Sequence, residues 1–251
     1  MSIATFQQDN MRERLATFLR DGIFSGRQKP GERIVESQLA KELQVGQPTI
    51  REALQVLEHE GLVSRISKRG CRVTELSLDD IAKIYEVRIE LESLAASKIP
   101  VERIPAVCKQ LETHLAEMRA AEAENNFSRF KMADLRFHRT IWEASGNRYL
   151  AKALDAVTIP LFAFGQIFFH RFMKTIPTND AEMHQQLVDI IRSAGSARSR
   201  ENAVRRVMIE FRDRALPQYD IRHYTTADVA RKEAGRGRLN RKRSSQRKRQ
   251  Q

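Results

Sequence analysis

The sequence predicts a mainly α-helical protein that carries one small β-hairpin near residue 70. Glycine and proline are sparse, at 11 and 7 of 251 residues, and 30% of the residues are charged, which favours helices. Apolar residues recur at helical spacing through most of the chain. The segment 62–74 breaks that pattern and is typical of two short strands joined by a basic turn.

The chain falls into three predicted parts, and charge sets off the last of them. We predict a first domain at 1–75, a second at 76–222 and a basic tail at 223–251. Residues 231–251 hold ten Lys or Arg and one acid, so they account for +9 of the net charge of +12. Within the tail, residues 235–251 have almost no apolar residue, and we therefore predict them to be disordered. It is either a solvated extension or an arm that adds non-specific affinity for DNA phosphates.

The first domain begins with two helices, which apolar spacing places at 11–24 and 36–43. A third helix starts near Pro48, a residue that suits a first helical position. It ends at Gly61, where glycine adopts a left-handed backbone at little cost. One face of this helix is apolar, and the opposite face carries Gln47, Arg51 and Gln55.

A basic hairpin follows the third helix, with strands predicted at 62–66 and 71–74. Helices in this order, ending in a basic hairpin, are typical of a winged helix-turn-helix, in which one helix enters the major groove and the wing follows the backbone. Each element alone would be an ordinary surface helix or hairpin. The predicted DNA contacts are Gln47, Pro48, Thr49, Arg51, Gln55, Lys68, Arg69 and Gly70.

The second domain is predicted to be an all-helical bundle. Ser77 is a good N-cap for a helix that runs to about residue 98. Pro160 lies in the most apolar helix and is expected to kink it. The other helices are predicted at 101–124, 126–144, 148–173, 179–194 and 199–216, which makes a bundle of six or seven helices.

Three segments resemble known families. PTIREALQVLEHEGLV resembles the recognition-helix signature of the GntR family of bacterial transcription regulators. IYEVRIELESLAA and DLRFHRTIWEASGNRYL resemble two helices of the FCD domain, the effector domain of that family's FadR branch. The resemblance implies a homodimeric regulator that binds a double-stranded DNA operator and usually represses transcription. Many members carry arginine at the position of Gln47 and proline at that of Thr49, so the operator sequence stays open.

The FCD resemblance also implies a metal site inside the bundle. Asp134 and His138 lie four residues apart on one predicted helix, and His184 lies near the start of a later one. In the family, one aspartate and three histidines bind a divalent metal, and such ligands suit zinc, nickel or manganese. The last histidine is absent here, where the chain reads Arg-Arg-Val at 205–207. Three ligands could hold a metal weakly, or Asp134 and His138 could form a surface pair or a buried hydrogen bond.

The resemblance implies a small, acidic effector. Arg206 could point inward and bind a carboxylate as a planar fork. Arg88 interrupts an apolar stripe, so it is either near the effector, as in the family, or an arginine at the edge of the stripe with its head in solvent. The predicted effector-binding residues are Arg88, Asp134, His138, His184 and Arg206.

Other classes of protein are disfavoured. We find no apolar run long enough to span a membrane, no signal-peptide core at the N-terminus and no metal spacing between the two cysteines. These features predict a cytoplasmic protein without a membrane partner. The alternatives are a metal-dependent hydrolase with an accessory nucleic-acid-binding head, and an architectural nucleic-acid protein. No nucleophile or general base stands at a legible spacing, so we predict that the protein is not an enzyme.

Overall fold

A computed structural model of the protein describes residues 3–66, 70–172, 180–193 and 195–220. Within these ranges the chain is mainly α-helical and has one small antiparallel sheet, which confirms the predicted fold class. The basic tail at 223–251 and the wing-tip residues Lys68 and Arg69 lie outside the described residues, so their predicted roles stay predictions.

The N-terminal module contains three helices and three short strands within the described residues. Its elements are α1 (Ile3–Phe24), β1 (Arg33–Ile34), α2 (Glu36–Leu43), α3 (Gln47–His59), β2 (Val63–Ile66) and β3 (Gly70–Val73). The α2 helix spans the predicted residues. The α1 helix starts at Ile3, earlier than the predicted residue 11.

The recognition helix α3 is held by its apolar face. Its inward side chains are all fully buried: Ile50, Ala53, Leu54 and Leu57. Gly46 is the N-cap residue and Pro48 lies in the first turn. The chain leaves the helix through Gly61 with φ of 72°, the left-handed conformation that the sequence predicts.

The wing is a three-stranded antiparallel sheet, in which the predicted hairpin of β2 and β3 is extended by a further strand. The strand order is β1-β3-β2. The added strand, β1, pairs Arg33 with Arg72 and Ile34 with Cys71. A strand of two residues is too short for an alternating pattern to reveal it. It ties the wing to the segment that precedes α2.

Six α-helices form the second module within the described residues. They are α4 (Leu78–Ser97), α5 (Ile104–Ala123), α6 (Phe127–Ala144), α7 (Arg148–Phe172), α8 (Asp180–Arg192) and α9 (Ala197–Gln218), with a 3₁₀ turn at Val101–Arg103. Ser77 caps α4 as predicted. Its Oγ accepts from the Asp80 amide at 3.1 Å, and its own amide donates to Asp80 Oδ2 at 3.0 Å. The expected helical bundle is confirmed.

The α7 helix belongs to both modules. On one side, Leu161, Phe164 and Phe168 lie in the core of the bundle. On the other, Ala163 and Ile167 pack into the core of the N-terminal module. Because residues of α7 contact the two cores in turn along the helix, a displacement of α7 would change the packing in both cores.

The apolar character of α7 also corrects one expectation. By length and composition, Arg148–His170 could cross a membrane, whereas we expected no such stretch. More than half of this stretch is buried inside the protein, as is usual for the core helix of a soluble bundle. Pro160 lies inside this helix, and the predicted kink stays a prediction.

The packing of α7 against the N-terminal module can be tested at Gly61. An added Cβ would lie 2.6 Å from Ile159 Cγ2 and 3.1 Å from the Ile159 carbonyl oxygen. Gly61→Ala should therefore lower the free energy of unfolding by about 2–5 kcal/mol, because left-handed backbone strain adds to overpacking. Chemical denaturation measures the loss.

Gly146→Ala is the matched control. Gly146 has nearly the same φ, 71°, but an added Cβ meets nothing within 4 Å. Strain alone should cost about 1–2 kcal/mol there. Equal losses at the two glycines would contradict a close contact between Gly61 and α7.

Candidate ligand site and DNA-binding face

A buried polar cluster lies at the centre of the helical bundle. The α6 helix brings Asp134 and His138 to one face, because residues four apart are neighbours on a helix. The α8 helix places His184 against them. The three residues are 4%, 2% and 1% exposed. The fold thus brings together the three residues that the sequence suggests as metal ligands.

The donor atoms of these residues converge. Asp134 Oδ1 lies 3.1 Å from His184 Nε2 and 3.5 Å from His138 Nε2. One donor atom from each residue lies within 4.8 Å of the others. A carboxylate oxygen and two imidazole nitrogens are ligands that zinc, nickel and manganese accept. The residues therefore fit a single divalent ion, with room for other ligands to complete its coordination.

Glu92 of α4 completes the cluster, and the sequence analysis missed it. It is 1% exposed, and its Oε2 lies 2.6 Å from His138 Nδ1. Because an ionised carboxylate only accepts hydrogen bonds, Nδ1 of His138 donates to Glu92, and Nε2 faces Asp134. A carboxylate behind a metal-binding histidine orients the ring and raises its basicity. The spacing of Glu92 four residues after Arg88 is the signal that could have identified it.

Arg88 is buried beside Glu92. It is 3% exposed, and its Nε donates to Glu92 Oε1 at 2.8 Å. The guanidinium carbon lies 5.0 Å from the Tyr85 ring centroid and 5.5 Å from that of Phe162. The alternative of an arginine whose head lies in solvent is therefore wrong.

Opposite charges keep both buried acids ionised. Burial raises the pKa of Glu92, but His138 and Arg88 outweigh burial and hold that pKa at about 2. Burial also raises the pKa of Asp134, while Lys131 and the two histidines bring it well below its ordinary value. Lys131 Nζ donates to Asp134 Oδ2 at 3.0 Å. Both carboxylates are thus available as anions near neutral pH.

The last helix places Phe211, rather than a fourth ligand, beside the histidines. The Phe211 ring centroid lies 4.8 Å from that of His184 and 6.0 Å from that of His138. Arg206 is exposed and does not line the cavity. The interpretation of Arg206 as an inward-pointing anion ligand is wrong, because Val207 and Met208 take the buried face of α9.

The cluster opens into a small cavity between α4, α6, α7, α8 and α9. Its volume of about 40 Å³ is room for about three water molecules. Much of the wall is aromatic and includes Tyr85, Phe162, Phe169, Phe211 and Tyr219. Arg214 and Gln218 of α9 add two polar side chains that the sequence analysis did not identify.

The predicted DNA-reading side chains share one face of α3. Gln47, Arg51 and Gln55 are exposed and follow each other at intervals of four residues. Pro48 is exposed beside them, and Thr49 is half-buried. Arg51 Nη2 lies 3.1 Å from Glu36 Oε2, in a pair whose arginine is half exposed. Because exposed ion pairs contribute little stability, Arg51 can exchange this partner for DNA at small cost.

A groove separates α3 from the wing. Arg33 of β1 and Arg65 of β2 line it together with Arg51 and Gly70. Gly70 has φ of 91°, and an added Cβ would lie 2.5 Å from the carbonyl oxygen of Ile34. Glycine is therefore required where the wing closes on β1. Arg33 and Arg65 were not among the predicted DNA contacts, because neither lies in the predicted helix or turn.

Both modules match protein families. The family of bacterial regulatory proteins named gntR matches residues 11–73. The FCD domain family matches residues 83–209, which is just over half of the chain. The two matches fall inside the domain limits of 1–75 and 76–222, which themselves stay a prediction.

Similar proteins carry names of transcription regulators. The uncharacterised HTH-type transcriptional regulator YdhC of Bacillus subtilis is 35% identical over 143 residues, 55% of this chain and 62% of that protein. The gluconate operon transcriptional repressor of B. subtilis is 31% identical over 137 residues, 55% of this chain and 56% of that protein. The chain thus spans less than two thirds of either relative. The structure of E. coli McbR/YncC matches this one with a TM-score of 0.59 at 19% sequence identity. The match covers 84% of this chain and 99% of the McbR/YncC chain, and at this identity it supports only the fold.

A winged helix-turn-helix followed by an all-helical domain with a central polar cavity is the architecture of two-domain bacterial transcription regulators. The protein belongs to the GntR family, and its FCD domain fits the FadR subfamily. The family and the similar proteins are regulators and not enzymes. The hydrolase interpretation is therefore not supported.

Glu92→Gln should destabilise the protein because it leaves Arg88 buried without a counter-charge. The expected loss is about 3 kcal/mol of unfolding free energy near neutral pH. The folded-state pKa of Glu92, about 2, lies below its ordinary value of 4.5. The contribution of the carboxylate is therefore complete above about pH 5 and is lost as the pH falls towards 2. The difference in unfolding free energy between wild type and variant should therefore become smaller as the pH is lowered.

Urea denaturation of chelator-treated protein at several pH values measures this gap. Glu90→Gln is the control, because Glu90 lies on the same helix but is exposed and pairs with Arg205 at the surface. The control should change the free energy by less than about 1 kcal/mol. A gap for Glu92→Gln that stays constant with pH would contradict the buried ion pair.

Proposed function

We propose that the protein is a sequence-specific DNA-binding repressor whose affinity for its operator is set by a small acidic effector bound in the helical bundle. It acts in the cytoplasm as a homodimer, and its two α3 helices enter successive major grooves of a near-palindromic operator. The observation that carries this proposal is the combination of an exposed recognition face with a buried, charge-compensated cavity in one chain.

The recognition face supports DNA binding on chemical grounds. Arginine and glutamine are side chains that read guanine and adenine in the major groove. Gln47, Arg51 and Gln55 are exposed together, and Arg33 and Arg65 border the groove beside them. Positive groups along this groove favour phosphate contacts, which position a protein on the duplex. Bases are thus read by α3, while the strands contact the backbone.

The cavity supports an acidic effector. Asp134, His138 and His184 would hold a divalent ion, and the ion would supply a Lewis-acidic centre for a carboxylate. Arg88 and Lys131 add positive charge beside that centre. One relative's name connects it to the operon for gluconate, a small hydroxy acid. A small acid is thus the ligand class that the cavity favours.

The α7 helix connects the two sites. Leu161, Phe162 and Phe169 line the cavity, whereas Ala163 and Ile167 belong to the core of the N-terminal module. An effector bound in the cavity contacts this wall directly, and we propose that the contact displaces α7. Because packed cores shift between discrete arrangements rather than deform continuously, such a displacement changes how the N-terminal module sits on the bundle. Operator affinity changes with it.

Arg51→Ala should weaken binding to a selected operator by about 1–3 kcal/mol, because a base-reading fork is lost while the fold is kept. Selection of bound genomic fragments supplies the operator, and fluorescence anisotropy measures affinity. Arg14→Ala is the control, because Arg14 is exposed on α1 and does not line the groove. Unchanged affinity for Arg51→Ala would rule out α3 as the recognition helix.

Zinc added to chelator-treated protein should raise its melting temperature, because a ligand of the folded state stabilises it. His138→Ala should abolish this rise. Phe211→His should enlarge it, because the ring at 211 lies beside both histidines and can supply a fourth ligand. His59→Ala, at an exposed histidine of α3, should behave as wild type. A rise that survives His138→Ala would place the metal elsewhere.

A further inference from the structure

The positive charges that line the cavity differ in how they are compensated. Arg88 pairs with Glu92, and Lys131 pairs with Asp134. Arg214 also lines the cavity, and it makes no ion pair with any residue in the described part of the chain. The two buried acids therefore offset two of the three cations and leave the charge of Arg214 uncompensated.

Arg214 lies at the outer end of the cavity. Phe211, Arg214, Ala215 and Gln218 follow each other at helical spacing along α9 and form one wall. Phe211 is the deep end of this wall, against His138 and His184. Arg214 is exposed, so it marks the side from which a ligand enters.

The size of the cavity requires a ligand that reaches this outer end. The inner space holds about three water molecules, which is enough for a metal ion and one carboxylate but small for a whole organic acid. The rest of the ligand must extend along the α9 wall towards Arg214 and Gln218. A guanidinium binds a carboxylate through two parallel hydrogen bonds.

We propose that Arg214 binds a second anionic group of the effector, so that the cavity selects a dicarboxylate over the corresponding monocarboxylate. This inference rests on the proposed function, because it assumes that one acidic group enters the Asp134–His138–His184 site. The inner group is held at that site and beside Arg88. The outer group neutralises Arg214, whose charge is not paired by any residue that the structure describes. Arg214 is then a specificity-determining residue.

Two matched pairs of acids test the proposal: butyrate with succinate, and gluconate with glucarate. The two acids of each pair have carbon chains of the same length, and only the second acid has a carboxylate at both ends. Isothermal titration of the zinc-loaded full-length protein should show that the dicarboxylate of at least one pair binds about tenfold tighter than its partner. Arg214→Gln should remove that preference and leave the affinity for the monocarboxylate within about twofold.

Two further variants define the outcome. Arg212→Gln is the control, because Arg212 lies on the same helix, pairs with Asp213 and does not line the cavity; it should keep the preference. Arg214→Lys keeps the positive charge but lacks the planar guanidinium, so it should keep part of the preference for the dicarboxylate. The proposal is overturned if Arg214→Gln weakens both members of a pair equally, or if wild type shows no preference. Failure of all four acids to bind would overturn the acidic effector as well, whereas binding without preference would overturn only the role of Arg214.

Discussion

The helical module depends on the compensation of the charges that it buries. Arg88, Glu92, Asp134 and His138 are each less than 5% exposed, and they contact one another across α4 and α6. An unpaired buried charge costs several kcal/mol, so these helices can pack only in a register that brings the groups together. We infer that the network fixes the rotation of each helix about its axis, which apolar contacts alone specify less strictly.

The same requirement explains why the ligand site and the DNA-binding module share a helix. The wall of the polar cluster must exclude water, and α7 supplies that wall with Leu161, Phe162 and Phe169. Its remaining apolar surface, at Ala163 and Ile167, needs cover of its own and obtains it from the N-terminal module. A helix that is apolar around most of its circumference is stable only when buried on several sides. The composition of α7 thus joins the two modules physically, and the same composition makes it resemble a membrane span.

The sequence predicts the elements well and the site less completely. Helical periodicity identifies α2 and α4 to α9, because each buries a continuous stripe, whereas β1 is too short to show a pattern. Asp134, His138 and His184 can be found from one spacing and a family resemblance. The i, i+4 spacing from Arg88 could have identified Glu92 as a partner of that arginine, but its contact with His138 depends on α6 packing opposite α4, which the sequence does not show. Arg206 was assigned by counting residues from His184, and this assignment was wrong. The apolar residues Val207 and Met208 occupy the buried face of α9, so Arg206 points towards solvent.

The absence of the fourth histidine, with Phe211 beside His138 and His184, has a consequence for how such a site responds. Three protein ligands leave coordination positions that water or an acid must fill, and fewer ligands mean weaker retention of the ion. If an acid completes the shell, the affinity for the acid and the affinity for the ion must increase each other by the same factor. A site with four protein ligands keeps its ion whether or not the effector is present. A site built from Asp134, His138 and His184 would instead bind ion and acid cooperatively, and the proposed regulator would then respond to both together.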